Sequence, residues 1–261
     1  MSNCPFDGAC CPLSLGEAAC ALAAGEAVVF PTDTVFGLGV SVKAAAGPRL
    51  LYDLKHRDAG KPVAWLVEGP EALDVYGRDV PAYARRLADA FWPGALTLVV
   101  RASAAVPAAF RSPAGTIGLR MPDSEAALAL IRAVGCPLAV TSANLSGAPD
   151  TARIEDLDGA LMARTAGVYL PDDLPPYSIA SGVAEAAEAV EAGEAAEAAE
   201  GAAALMSSSA RVRADVAAGT AGDSDAPSAG IASTVLDCTG DVPRVLRAGA
   251  LTLEDMKGCL S

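Results

Sequence analysis

The sequence predicts a single α/β domain built on a large mixed sheet. Three observations carry that expectation. Helical and strand patterning alternate along most of the chain, some strands follow one another with no helix between them, and 261 residues, 52% hydrophobic, suit one large core better than two. Strict alternation would favour a doubly wound parallel sheet, whereas direct strand-to-strand links favour a mixed one.

The first helix is announced by Ser14-Leu15-Gly16-Glu17, which has the form of a capping box, and Gly25 closes it. Residues 27–30 form an apolar strand that delivers Pro31-Thr32-Asp33-Thr34-Val35-Phe36-Gly37-Leu38-Gly39. Small polar side chains, an aromatic and glycines stand there where an ordinary turn would do, as if backbone and hydroxyls approach something bound. A helix through residues 50–54 starts late because of Pro48, and residues 63–67 form a strand. Residues 81–91 are helical, Trp92-Pro93-Gly94 is a turn, and 96–100 and 116–121 are strands. Asp123 caps a helix through Ile131, and residues 137–140 form a strand leading into the polar loop Thr141-Ser142-Ala143-Asn144-Leu145-Ser146-Gly147. Residues 167–170, 233–236 and 244–246 supply further strands.

No apolar segment is long enough to cross a bilayer, and the first residues lack a charged start and apolar middle, so a cytoplasmic protein with no membrane partner is expected. Seven cysteines, an odd and scattered count, make poor material for a disulfide framework. Cys4, Cys10 and Cys11 match no zinc spacing, and the sole histidine, His56, is remote in sequence, so no metal site is expected. A net charge of −13 argues against a nucleic-acid coat protein, because phosphate neutralisation requires a basic surface. The charge is uneven: between Gly182 and Ala229 nine acids face Arg211 and Arg213, a local −7 that leaves −6 for the rest. That segment, rich in Ala and Glu and then in Gly, Ser, Ala and Asp, is expected to be a solvated insertion at 182–229 in a domain spanning 14–261, with 1–13 as a tail.

Three polar clusters carry the chemistry. Lys55-His56-Arg57, with Lys61-Pro62 close behind, concentrates cations between a helix and a strand, where they can converge on phosphates. Ser142 and Asn144 bring a hydroxyl and an amide to a strand end, the edge at which α/β proteins commonly bind ligands. Arg120 sits inside an otherwise apolar strand and needs an anionic partner, either an internal Asp or Glu or, as the sharper reading, a ligand carboxylate. Neither a Walker loop nor a dinucleotide-binding glycine fingerprint occurs, so a nucleotide would be held by scattered cations and polar loops.

In order, "PTDTVFGLG", "KHRDAGKP", "TIGLRMP", "TSANLSG", "GIASTVLD" and "PRVLRAG" resemble the motifs of the YrdC-like threonylcarbamoyl-AMP synthases, from about Leu15 to Leu253 apart from the insertion. The resemblance implies a twisted mixed sheet with helices around it and a central open cleft. It implies that L-threonine, bicarbonate and ATP, with Mg²⁺ as cofactor, give threonylcarbamoyl-adenylate and pyrophosphate, the adenylate then passing to a tRNA threonylcarbamoyl transferase complex. It assigns catalysis to Lys55, Arg57, Ser142 and Asn144, the threonine site to Thr34, Arg120, Ser142 and Ser233, and the ATP site to Lys55, Arg57, Lys61, Thr116, Asn144 and Arg247. On this resemblance the hydroxyl of Thr34 meets the amino acid, and the neighbouring glycines let the chain come close.

No side-chain nucleophile is required by such chemistry, and no general base is identifiable; His56 is taken as a surface histidine. Phe36 stands where the family often has tyrosine, and the loop after Gly147 departs from the family pattern, so no contact is carried onto Thr151. The chain resembles the short form of the family. Two other classes compete: a carbamoyl-adenylating relative using another carbamoyl source, and an RNA-binding or regulatory module. The acidic balance leaves room for no more than a weak tRNA contact.

Overall fold

A computed structural model describes residues 12–56, 62–171 and 230–260. The strands are β1 (Pro12–Leu13), β2 (Val28–Phe30), β3 (Gly37–Ser41), β4 (Ala64–Leu66), β5 (Gly77–Arg78), β6 (Leu96–Ala102), β7 (Thr116–Arg120), β8 (Leu138–Ser142), β9 (Gly167–Tyr169), β10 (Thr234–Asp237) and β11 (Arg244–Arg247). They form one sheet in the order β1-β9-β2-β3-β8-β4-β7-β6-β10-β11, with β5 paired to the end of β6. It is mixed, as expected: β4–β7 and β6–β10 are parallel, while β3–β8, β8–β4 and β6–β7 are antiparallel.

Helices are α1 (Leu15–Ala23), α2 (Arg49–Lys55), α3 (Ala72–Tyr76), α4 (Ala82–Phe91), α5 (Glu125–Val134), α6 (Gly159–Met162) and α7 (Leu253–Leu260). The capping box at Ser14 and Glu17 is formed, and Gly25 follows α1 at φ +86°, a conformation that costs glycine nothing. α2 begins directly after Pro48 and ends in a left-handed residue, His56.

Four expectations are corrected. Ser124, not Asp123, caps α5 by accepting the Ala127 amide, and the helix runs to Val134, where left-handed Gly135 stops it. Pro12 and Leu13 are not tail: they pair in parallel with Val168 and Tyr169 as an edge strand. Thr141 and Ser142 complete β8 instead of opening a loop, because they pair with Leu38 and Gly37. Finally, Gly37 and Gly39 belong to a fully buried strand instead of a loop: Gly37 lines the cleft, while Gly39 makes room for the ring of Phe30, where a Cβ would stand 2.8 Å from Phe30 Cε1. The tail 1–11, the segment 57–61 and the insertion 182–229 lie outside the described residues.

Strand alternation gives the sheet two faces. On one, Leu38, Trp65, Leu98, Leu119 and Leu236 pack with residues of α2, α3, α4, α6 and α7. Each such side chain, fully buried, contributes about 1.5–3 kcal/mol. On the other, Val28, Phe30 and Leu138 pack with Leu22 of α1 and Leu130 and Ile131 of α5. Those two helices pack on the β1-to-β8 half, and the cleft lies over the rest of that face, bounded by residues of β3 and β8.

Candidate active site

The cleft is a cavity of about 630 Å³. Its floor follows from the same alternation: while Ile117 and Leu119 enter the core, Thr116, Gly118 and Arg120 of β7 face the cavity, joined by Thr97 and Val99 of β6 and Val235 and Asp237 of β10. Small residues keep it open; Gly118 leaves space that a side chain would fill beside Thr97. Among the described residues, Thr34, Thr116, Arg120, Ser142, Ser233 and Arg247 all line this one cavity.

Strand register divides the walls into two ends. Arg120 pairs across β4 at Leu66, and Thr97 of β6, with β10 alongside, lies at the same level. Ser142 and Thr116 lie instead level with Pro62, four residues back along β4 and so about 13 Å away at the strand rise.

At the first end, Arg120 is held at three points. Nε donates to Gly94 O at 3.0 Å, Nη1 to Thr34 Oγ1 at 3.0 Å and Nη2 to Asp33 Oδ1 at 2.6 Å. Of the two partners foreseen for this charge, the internal carboxylate is present, and it comes from Asp33 in the same motif as Thr34. Beyond these bonds each terminal nitrogen carries one further N–H. Ser233 stands nearby: its Oγ lies 3.0 Å from Thr97 Oγ1, and Arg247 Nη2 donates to its carbonyl at 2.9 Å and its hydroxyl at 3.1 Å.

At the second end, buried Lys55 emerges from α2 with its ammonium donating to Ser142 O at 2.5 Å, Asn144 Oδ1 at 2.9 Å and Ser142 Oγ at 3.2 Å. Ser142 Oγ donates to Asn144 Oδ1 at 2.6 Å, and Asn144 Nδ2 donates to Ala148 O at 2.6 Å, which fixes which way the amide faces. Lys55 and Asn144 are therefore packed behind Ser142 instead of on the wall. Two main-chain bonds lock the loop: Ser146 N to Lys55 O at 3.1 Å and Phe36 N to Thr151 O at 2.8 Å. Thr116 shares a 2.7 Å hydroxyl contact with Ser112, another wall residue. Arg57 and Lys61, assigned to the triphosphate by resemblance, lie outside the described residues. His56 is exposed.

Asp150 and Asp237 are the wall carboxylates among the described residues. Burial pushes the Asp237 carboxyl up, but the side chain and amide of Thr239 and the guanidinium of Arg244 outweigh it and hold the group below the usual range. Sequence reasoning named Thr32 and Asp33 only as polar members of the first motif, with no role of their own, and missed Thr97. Asp33 had a signal, being a carboxylate inside the motif that also carries Thr34, whereas Thr97 is marked only by its parity in β6.

Among the described residues no helix is long and apolar enough to cross a membrane. The Sua5/YciO/YrdC family model, described as telomere recombination, matches residues 20–192. A Bacillus subtilis protein named threonylcarbamoyl-AMP synthase is 31% identical over 250 residues, covering 94% of this chain and 56% of the relative. A Pyrococcus abyssi protein of the same name is 39% identical over 125 residues, 48% of this chain and 37% of the relative. The chain thus spans about half or less of the length of these relatives. Among solved structures, Pyrococcus abyssi Sua5 complexed with L-threonine superposes with a TM-score of 0.69 at 26% identity over 94% of this chain and 56% of that one. Escherichia coli YciO, at 20% identity and a TM-score of 0.65 over 93% of this chain and 92% of that one, shares the fold. With its ordered motifs on one cleft and a family model matching most of its length, the chain belongs to the Sua5/YciO/YrdC family.

Proposed function

We propose that this chain forms L-threonylcarbamoyladenylate and pyrophosphate from L-threonine, bicarbonate and ATP. The observation that carries the reading is the cleft itself: a fixed guanidinium beside a hydroxyl at one end, and a lysine clamped behind a Ser-Asn pair at the other. Its relatives of that name and a neighbour complexed with L-threonine support it.

The free N–H pair of Arg120 takes the threonine carboxylate, leaving the amine to attack bicarbonate; loss of water yields a carbamate. A carbamate oxygen then attacks the α-phosphorus of ATP, the bond to the β-phosphate bridge breaks, and pyrophosphate leaves. Anion meets anion in this step, so its main requirement is positive charge near the α-phosphate and the departing pyrophosphate. Lys55, Arg57, Lys61 and Arg247 supply the charge, Thr116 helps hold the nucleotide, and Asn144 acts from behind the wall by holding Lys55 and Ser142. Ser142 serves the lysine end, where it shares the Asn144 oxygen with Lys55, and Ser233 closes the threonine end.

Mg²⁺ in such chemistry offsets phosphate charge. The described residues hold no trio of His, Cys, Asp and Glu suited to cage an ion, and Asp237 is already engaged by Thr239 and Arg244. Of the wall carboxylates among the described residues, Asp150 would be the one left to meet such an ion. The adenylate would feed a tRNA threonylcarbamoyl transferase, and the enzyme would work in the cytoplasm.

Pyrophosphate release measured with each substrate omitted tests the reading. Release should require threonine and bicarbonate together. Release indifferent to threonine, or supported by carbamoyl phosphate instead, ends it in favour of a carbamoyl-adenylating relative, and tRNA affinity without turnover ends it in favour of an RNA-binding module.

A further inference from the structure

The hydroxyls at the threonine end have a direction. Thr32 and Thr34 are both buried and both line the cleft, with Oγ1 atoms 3.1 Å apart. A hydroxyl has one proton and two acceptor lone pairs. Thr32 spends its proton on Val35 O at 2.6 Å, a carbonyl that can only accept. The Thr32–Thr34 bond therefore runs one way, with Thr34 as donor. The amides of Thr34 and Val35, each at a longer 3.3 Å, share the second lone pair of the same oxygen and close the turn around it.

Thr34 consequently has no proton left for a ligand. One of its lone pairs accepts from Arg120 Nη1 at 3.0 Å, which leaves one on a residue that lines the cleft. Beside it are the unused guanidinium N–H groups of Arg120.

We infer that Thr32 sets the polarity of the Thr34 hydroxyl, so that this end of the cleft selects a ligand whose carboxylate is flanked by an N–H or O–H donor. The inference rests on the proposed function and deepens it: an amino acid is recognised through a donor that Thr34 accepts, and Thr32 is a positioning residue acting through Thr34. A ligand offering only an acceptor beside its carboxylate meets lone pair against lone pair and is rejected.

Calorimetric titration of the full chain with L-threonine tests this in wild type, Thr32→Ser, Thr32→Val, Thr34→Val and the Thr32→Val/Thr34→Val double variant. Thr32→Val frees the Thr34 proton and should weaken threonine binding by about 3–10-fold, the size of one net hydrogen bond. Thr32→Ser keeps the hydroxyl and should bind within about twofold of wild type. In the Thr34→Val background the Thr32→Val change should cost nothing further, because its route of action is gone. A purely structural Thr32 would lose affinity equally in both backgrounds, and that additive result, or undiminished binding by Thr32→Val, overturns the inference. Thr32→Ala serves in the same cycle should the valine variant fail to fold. Repeating the series with L-2-aminobutyrate, which lacks the hydroxyl, names the donor: losses for both ligands assign it to the amino group, a loss for threonine alone to its hydroxyl, and either supports the inference. Wild type that binds neither overturns the substrate reading and the inference with it, whereas an additive cycle in a binding protein overturns the inference alone.

Discussion

Asp33 and Arg120 form a buried ion pair with Oδ1 2.6 Å from Nη2, their side chains 15% and 7% exposed. A cation at that point of β7 is tolerable only with an anion beside it, and Asp33 meets the need from the residue next to Thr34. Asp33→Ala should therefore destabilise the fold by about 3–5 kcal/mol, the cost of stranding a buried charge. Asp33→Asn keeps an acceptor in place and should cost less, about 1–3 kcal/mol. Urea unfolding of the pair measures both, and equal losses would show that the charge of Asp33 is dispensable.

Asn144 should matter more to turnover than to folding. Its Oδ1 receives both Lys55 and Ser142, and its Nδ2 bond to Ala148 O holds that oxygen in place. Asn144→Ala releases the ammonium and the hydroxyl together. If Lys55 works only from this position, pyrophosphate release should fall about 10–100-fold, corresponding to one charge-assisted hydrogen bond of about 1.5–3 kcal/mol. Steady-state kinetics should show the loss mainly in kcat; a change confined to KM for threonine would place Asn144 on the amino acid instead.

Gly39 shows where the sequence misleads. Its glycines made "VFGLG" look like a ligand loop, and they hide the apolar alternation by which a strand is normally recognised. At Gly39 the purpose is tertiary: the Phe30 ring crosses β3 where only a hydrogen fits. Gly39→Ala should destabilise by about 1–3 kcal/mol through overpacking, and Phe30→Leu in the same chain should recover part of it. Thermal unfolding of the single and double variants decides this; an unshifted single variant would mean that the ring moves aside freely.

The mixed sheet, most of its strands and the capping box were legible because period and cap chemistry are local. Thr34, Arg120, Ser142 and Ser233 were legible as motif residues, and they do line one cleft. What was not legible is long-range. Arg120 could be known to need an anion, but whether Asp33 or a ligand supplies it depends on how the loop from β2 to β3 lies over β7. Likewise, Lys55 was read as one of several cations converging on phosphates, and only the packing of α2 shows it buried behind β8, 3% exposed.

The Cys238–Asp237–Tyr83 corner should give stability a limb at each end of the pH range. Burial pushes the Cys238 thiol from 9.0 up to about 12, the negative charge of Asp237 adds to the rise, and the Tyr83 hydroxyl partly offsets it. A folded-state pKa raised above the unfolded one means that the stabilisation is complete below about pH 9, where both states hold the proton. It is lost as pH climbs towards 12, because the unfolded chain gives up its proton first. Asp237 has the opposite sign: its carboxyl is held below the ordinary 3.8, so its contribution is present above that value and lost as pH falls through the depressed one. Cys238→Ala should flatten the alkaline limb while leaving the acid limb unchanged, at a cost near neutrality of about 1 kcal/mol for the vacated core volume. Part of the alkaline limb should survive, since burial also raises the Tyr83 phenol. Urea midpoints taken across both limbs, from below the ordinary carboxylate range to about pH 11, provide the measurement, and a variant whose midpoint falls with rising pH as steeply as wild type would show that this thiol does not drive the alkaline loss.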